Sequence, residues 1–149
     1  MQNLVLPRTL LALSRAFEAE ALDALHTAGH TKLRRSHYAV FAYIGRGSVR
    51  VSDLAERTQQ TQQGMGKTLR ELEQLGYIRR AIDATDKRAK AISLTASGET
   101  VIDLIQNGFT ATREQHAQLL GESENDQLYA LLEELVRETQ LDSPAQYWS

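Results

Sequence analysis

A chain of 149 residues, 42% hydrophobic and 24% charged, has the size and composition of one ordinary globular domain. No stretch approaches the roughly 20 apolar residues of a membrane span, and Met1–Arg8 lacks the basic-then-apolar order of a secretory leader, so a cytoplasmic chain with no membrane partner is expected. Zero cysteines exclude disulfides, thiolate metal sites and cysteine nucleophiles, while the net charge of −2 hides a partition: residues 31–90 hold 13 of the 17 cations and 6 of the 19 acids, a net +7 against −9 for the two flanks.

A basic centre between acidic ends points to a polyanionic partner for the centre; a merely solvated basic surface is the alternative. Along the chain, helical periodicity dominates. Leu10, Leu13, Phe17, Ala21 and Leu25 step by three and four and predict a first helix from Pro7 to Leu25. Tyr38, Val40, Phe41 and Ile44 mark a second, ending near Gly45–Gly47. Val49–Val51 reads as a short strand, and Ser52 offers an N-cap to a short helix over Asp53–Arg57. Thr61 offers the next cap, for a helix from Gln62 to Leu75 that stops at Gly76. Tyr77–Ile82 and Arg88–Leu94 then alternate with period two around a polar tip, a β-hairpin. Thr95 caps another long helix carrying Val101, Ile105, Phe109 and Leu119/Leu120. After Gly121, Ser123 and Asp126 form a capping-box-like pair before Leu128, Leu131, Leu132 and Leu135. The tail from Ser143 shows no pattern. The fold class expected is mainly α with a small β-hairpin wing.

Helix, short strand, short helix, turn, helix, hairpin is the order of a winged helix-turn-helix, in which the second helix of the pair can enter the major groove of DNA. The segment Gln62–Leu75 has the two faces this needs. Met65, Leu69, Leu72 and Leu75 form an apolar stripe; Gln63, Lys67, Arg70 and Gln74 lie opposite, with Gln62 and Gly66 beside them. Gln pairs bidentately with adenine, and Lys or Arg with guanine or phosphate. A solvated helix face is the alternative for this segment alone.

The hairpin carries Asp86-Lys87-Arg88-Ala89-Lys90-Ala91-Ile92-Ser93-Leu94-Thr95-Ala96-Ser97-Gly98, which resembles the wing signature of the MarR (multiple antibiotic resistance regulator) family: Asp-x-Arg, an alternating strand, then Leu-Thr-x-x-Gly. Val51–Arg57, Leu69–Ile78 and Ser36–Phe41 resemble further segments of that family, so the likeness spans about residues 33–98. The resemblance implies a homodimer built by residues 1–30 and 99–149 around a winged core over 33–98, binding double-stranded DNA at a pseudo-palindrome as a transcription regulator, most simply a repressor. It also implies that Asp86 braces Arg88 at a wing tip reaching the minor groove, with Lys87 and Lys90 adding positive charge. Gly64 and Gly66 depart from the family, each costing about 1 kcal/mol against Ala in a helix interior.

Many members of the family bind small aromatic or phenolic anions in a crevice between dimer body and winged domain, which brings His30, His37, Tyr38 and Phe41 forward as effector-binding candidates. That Tyr38 and Phe41 are simply core carries more weight on residue type alone. His26 and His30 are four apart, but Gly29 interrupts the helix and no ligand set can be assembled, so no metal is expected. With no phosphate loop, no Gly-x-Ser-x-Gly and no defensible carboxylate pair, neither an enzyme nor a cofactor is expected. The rival reading is a winged-helix module for protein contacts alone; such modules tend to lose the basic face that Lys67, Arg70, Lys87, Arg88 and Lys90 keep here.

Overall fold

The computed structural model describes residues 5–141 together with Tyr147 and Trp148. The expectations for Met1–Leu4, for residues 143–146 and for Ser149 lie outside the described residues. Among the described residues, six α-helices and three strands follow in the order α1 (Val5–Thr27), α2 (Arg35–Ile44), β1 (Ser48–Arg50), α3 (Val51–Arg57), α4 (Gln62–Gln74), β2 (Ile78–Ile82), β3 (Lys90–Leu94), α5 (Ala96–Leu120) and α6 (Glu122–Glu138). The strands form one antiparallel sheet with β3 in the middle, pairing Val49 and Arg80 on either side of Ile92. None of the described helices is long and apolar enough to cross a membrane.

Two threonine caps fix the frame around the hairpin. Thr61 Oγ1 accepts the Gly64 N–H at 3.1 Å and starts α4; Thr95 Oγ1 accepts the Gly98 N–H at 3.2 Å and starts α5. Thr95 also donates its own N–H to the Tyr77 carbonyl and its hydroxyl to the Gly76 carbonyl (3.0 and 2.6 Å), so one residue caps a helix and ties it to the entry of β2. That closeness explains the glycine three residues on: a Cβ at Gly98 would overlap the Tyr77 carbonyl oxygen and press on Leu94. Gly76, at φ +83°, supplies the left-handed turn between α4 and β2.

Two other expected caps are not used. α3 begins at Val51 and α6 at Glu122, one residue before Ser52 and Ser123, so both serines fall inside the first turn and neither helix has a side-chain cap bond. The first strand is correspondingly Ser48–Arg50 rather than Val49–Val51.

One apolar cluster gathers Leu25 of α1, Leu33, Val40 and Phe41 of α2, Leu54, Met65, Leu69, Leu72, Ile78, Ile92 and Val101. It lies under the helix-turn-helix and the hairpin base. Away from it, α1 packs along α5 and α5 along α6. These helices leave a second apolar surface open: Leu10 and Leu13 on α1, Leu119 and Leu120 on α5, and Leu128, Leu131, Leu132 and Leu135 on α6 are all exposed, Leu119 to 82%.

Replacing Gly98 by Ala should lower stability by about 2 kcal/mol or more, because the blocking atom is backbone and cannot rotate away. Gly66→Ala should instead raise it by about 0.5–1 kcal/mol, since the new Cβ meets only a flexible Arg70 nitrogen at 3.6 Å. Chemical denaturation of both variants reads the opposite signs.

Candidate nucleic-acid interface

α4 is two-faced in structure as in sequence. Met65, Thr68, Leu69 and Leu72 are buried, while Gln62, Gln63, Lys67, Arg70 and Gln74 are exposed. Gly66 lies half-buried between the faces, and Leu75 is half-buried at the C-terminal end. Thr68 joins the buried stripe although it is polar; its hydroxyl is 3.5 Å from the Gly64 carbonyl.

Polar bonds lock the helix to its neighbours at two places. On the α2 side, the Arg34 N–H donates to His37 Nδ1 at 3.1 Å, which leaves the ring proton on Nε2 to donate to Glu71 Oε2 at 3.0 Å. The Arg34 guanidinium donates to the same carboxylate oxygen. His37, then Arg34, hold the Glu71 carboxyl below its ordinary range. On the hairpin side, Arg80 of β2 donates to the Gly66 carbonyl at 3.4 Å, and its Nε lies 3.2 Å from Glu73 without hydrogen-bond alignment. α4 is thus held from the α2 side through Glu71 and from the hairpin through Arg80.

At the hairpin tip, Asp86, Lys87, Arg88 and Lys90 are exposed. Asp86 Oδ1 accepts the backbone N–H of Arg88 at 3.0 Å, and the Asp86 carbonyl accepts the Ala89 N–H at 2.9 Å. Asp86 therefore shapes the turn that carries Arg88, and the brace between them runs to the Arg88 backbone. The more heavily bonded carboxylate is Asp83, which the sequence reading passed over. An Asp two residues before a Thr in a turn-rich stretch is a signal that could have marked it.

The four effector candidates part company. Tyr38 and Phe41 line a cavity of about 330 Å³ with Ala42, Ile102, Ile105, Gln106, Phe109 and Trp148. His30 and His37 are not among its lining residues: His30 Nδ1 shares a 2.8 Å hydrogen bond with the Tyr77 hydroxyl, and the ring of His37, 1% exposed, spends both nitrogens on Arg34 and Glu71. Burial, with Glu18 and Tyr43 nearby, pushes the Tyr38 phenol up to about 12, so it stays a neutral donor. Trp148 closes one side of the cavity, donating its indole N–H to the Ala42 carbonyl at 3.0 Å. Beside it, the Arg46 N–H donates to the Tyr147 carbonyl, and the Arg57 guanidinium stands 3.8 Å over the Tyr147 ring.

A capped amphipathic helix held between α2 and α3 on one side and a basic hairpin on the other is the winged helix-turn-helix class. Residues 31–89 match the family model described as MarR family. The fold is similar to that in the crystal structure of MarR (23% identity over 91% of this chain and 97% of that one, TM-score 0.75) and to YusO of Bacillus subtilis (25% identity, 89% and 92%, TM-score 0.63). It is also similar to a mutant of S. aureus MepR solved bound to an oligodeoxyribonucleotide (23% identity, 91% and 98%, TM-score 0.60). Residues 31–89 thus match the MarR family, and the fold of the described chain around them is the one seen in the solved structure of MarR.

Because the Glu71 carboxyl is depressed in the fold, the stabilisation it gives is complete above the ordinary carboxylate range near pH ~4.3 and drains away as pH falls through its lower folded value. The melting-temperature advantage of the natural chain over Glu71→Gln should be level from neutral pH down to about 5 and shrink below that. An advantage that grew on acidification would contradict the assignment.

Proposed function

We propose that the chain is a homodimeric repressor that reads a pseudo-palindromic operator, with α4 in the major groove and the hairpin tip on the adjoining minor groove. The observation that carries this is the exposed polar stripe Gln62, Gln63, Lys67 and Arg70 on a helix whose other face is locked into the core. Lys87, Arg88 and Lys90 lie on a hairpin tethered to that same helix through Arg80. Gln and Arg supply bidentate base contacts, and an Arg at an exposed turn suits the negative potential of a narrow A·T-rich minor groove.

The dimer rests on the second apolar surface. α1, α5 and α6 carry a groove of about 590 Å³ lined by Leu10, Leu13, Phe17, Leu119, Leu128 and Leu132 among others. A monomer would leave that surface in water, and the net −9 of the flanks keeps it apart from a phosphate-facing centre. In this reading residues 1–30 and 99–149 form the dimer body, residues 33–98 the winged core, and the regulator works in the cytoplasm.

The 330 Å³ cavity supports release by a small aromatic ligand. Its described lining is aromatic and aliphatic with the Gln106 amide, and holds no charged side chain, which favours a neutral phenol over its anion. Tyr38 supplies the hydroxyl donor.

Selection of bound sequences from a random duplex pool tests the central reading: an enriched inverted repeat is expected, and no retained DNA at moderate salt would favour the protein-contact reading instead. Sedimentation at sub-micromolar concentration should show no folded monomer. Arg88→Ala should weaken operator binding by about 1–3 kcal/mol and flatten its salt dependence by roughly one unit of slope. Arg70→Ala should either relax base preference or remove one phosphate contact. Unchanged affinity and slope for Arg88→Ala would take the hairpin out of the interface.

A further inference from the structure

Asp83 opens the hairpin tip, and its carboxylate collects four donors. Oδ1 accepts the Thr85 N–H at 2.8 Å, the Thr85 hydroxyl at 2.7 Å and the Asp86 N–H at 2.9 Å; Oδ2 accepts Arg50 Nε at 3.0 Å. Arg50 Nη2 donates in turn to the Thr85 hydroxyl at 3.2 Å, which closes a ring of three side chains. Arg50 ends β1 and stands immediately before α3. The ring therefore joins the wing tip to the first helix of the helix-turn-helix, across 33 residues of sequence.

The rest of the tip is tied only to itself. Asp83 and Ala89 share a backbone bond, Ala89 bonds Asp86, and Asp86 bonds Arg88, while Ala84 to Arg88 are exposed. Among the hydrogen bonds and ion pairs of the described residues, the Arg50 side chain is the one group from outside the hairpin that holds this tip. We propose that Arg50 and Asp83 are positioning residues for DNA binding, a guanidinium–carboxylate clamp that fixes Lys87 and Arg88 relative to α4.

This rests on the DNA-binding reading above and explains an otherwise unfavourable charge. A carboxylate in the most basic segment of the chain repels phosphate, and its partner Arg50 is a cation withdrawn from general phosphate attraction. Both costs make sense if the pair orders the tip before DNA arrives, so that the entropy of fixing it is not charged against binding. The Thr85 hydroxyl and the Arg50 guanidinium, with two backbone N–H groups, hold the Asp83 carboxyl far below the usual range, so the clamp stays charged wherever DNA binding is measured.

The test sets positioning against simple charge. Asp83→Asn removes one negative charge and keeps an oxygen for the Thr85 and Asp86 N–H groups; Coulomb attraction alone makes it bind DNA more tightly. The clamp makes it bind about tenfold more weakly. Arg50→Lys keeps the charge and loses the paired Nε and Nη2 donors, and a similar loss is expected. The probe is a duplex enriched from a random pool by the natural chain, with melting temperature and sedimentation checking that both variants remain folded and associated. Amide exchange at Thr85 and Asp86 should quicken in Arg50→Lys. Equal or tighter binding by Asp83→Asn, with the natural chain binding normally, overturns the clamp and leaves the DNA-binding reading standing. Failure of the natural chain to retain any duplex overturns both.

Discussion

The docking of one side of α4 is the constraint on which the rest of the molecule depends. Met65, Leu69 and Leu72 are fully buried. At about 1.5–3 kcal/mol for each such side chain, their burial is worth roughly 5–9 kcal/mol as an upper bound. Gly64 and Gly66 cost about 1 kcal/mol apiece in helix propensity, so tertiary packing decides and the helix forms despite them. Once that face is committed, Gln62, Gln63, Lys67 and Arg70 have only solvent to face. The Glu71 and Arg80 bonds then set the helix against α2 and the hairpin, neither of which could be aimed without it.

The same constraint divides the molecule by charge and by apolar surface. The cluster under α4 draws on apolar side chains of α2, α3 and the sheet, and takes from the long helices the end of α1 and the beginning of α5. What remains on α1, α5 and α6 is a row of exposed leucines on an acidic body. One core thus builds a basic winged head, and a separate apolar surface is left exposed on the long helices.

Most of this was legible in residue order. The periods of three and four, the change to two at Tyr77, and the threonines at 61 and 95 gave the helices and the hairpin because each signal is local. Leu94-Thr95-x-x-Gly98 proved informative for a reason no motif states: Thr95 must reach Gly76 and Tyr77, and only a residue without a Cβ leaves room at Gly98. Ser52 and Ser123 misled because a serine in the first turn and a serine at the cap look alike in sequence; where the helix begins is decided by how β1 and α5 end. The misses lie at long range. His37 sits at helical spacing beside Tyr38, yet its ring turns to Glu71, 34 residues away, while Trp148 from a patternless tail bonds Ala42 across 106 residues. Arg50 read as one cation among thirteen until the fold brought Asp83 to it.

Amide hydrogen exchange of the intact chain, with and without a selected DNA duplex, tests the central claim most directly. Protection should appear in two separated segments, the first half of α4 over Gln62–Arg70 and the hairpin tip over Asp83–Lys90, with α6 unchanged. Protection confined to the leucine rows of α1 and α6, or none in α4, would contradict an interface built on the exposed face of that helix.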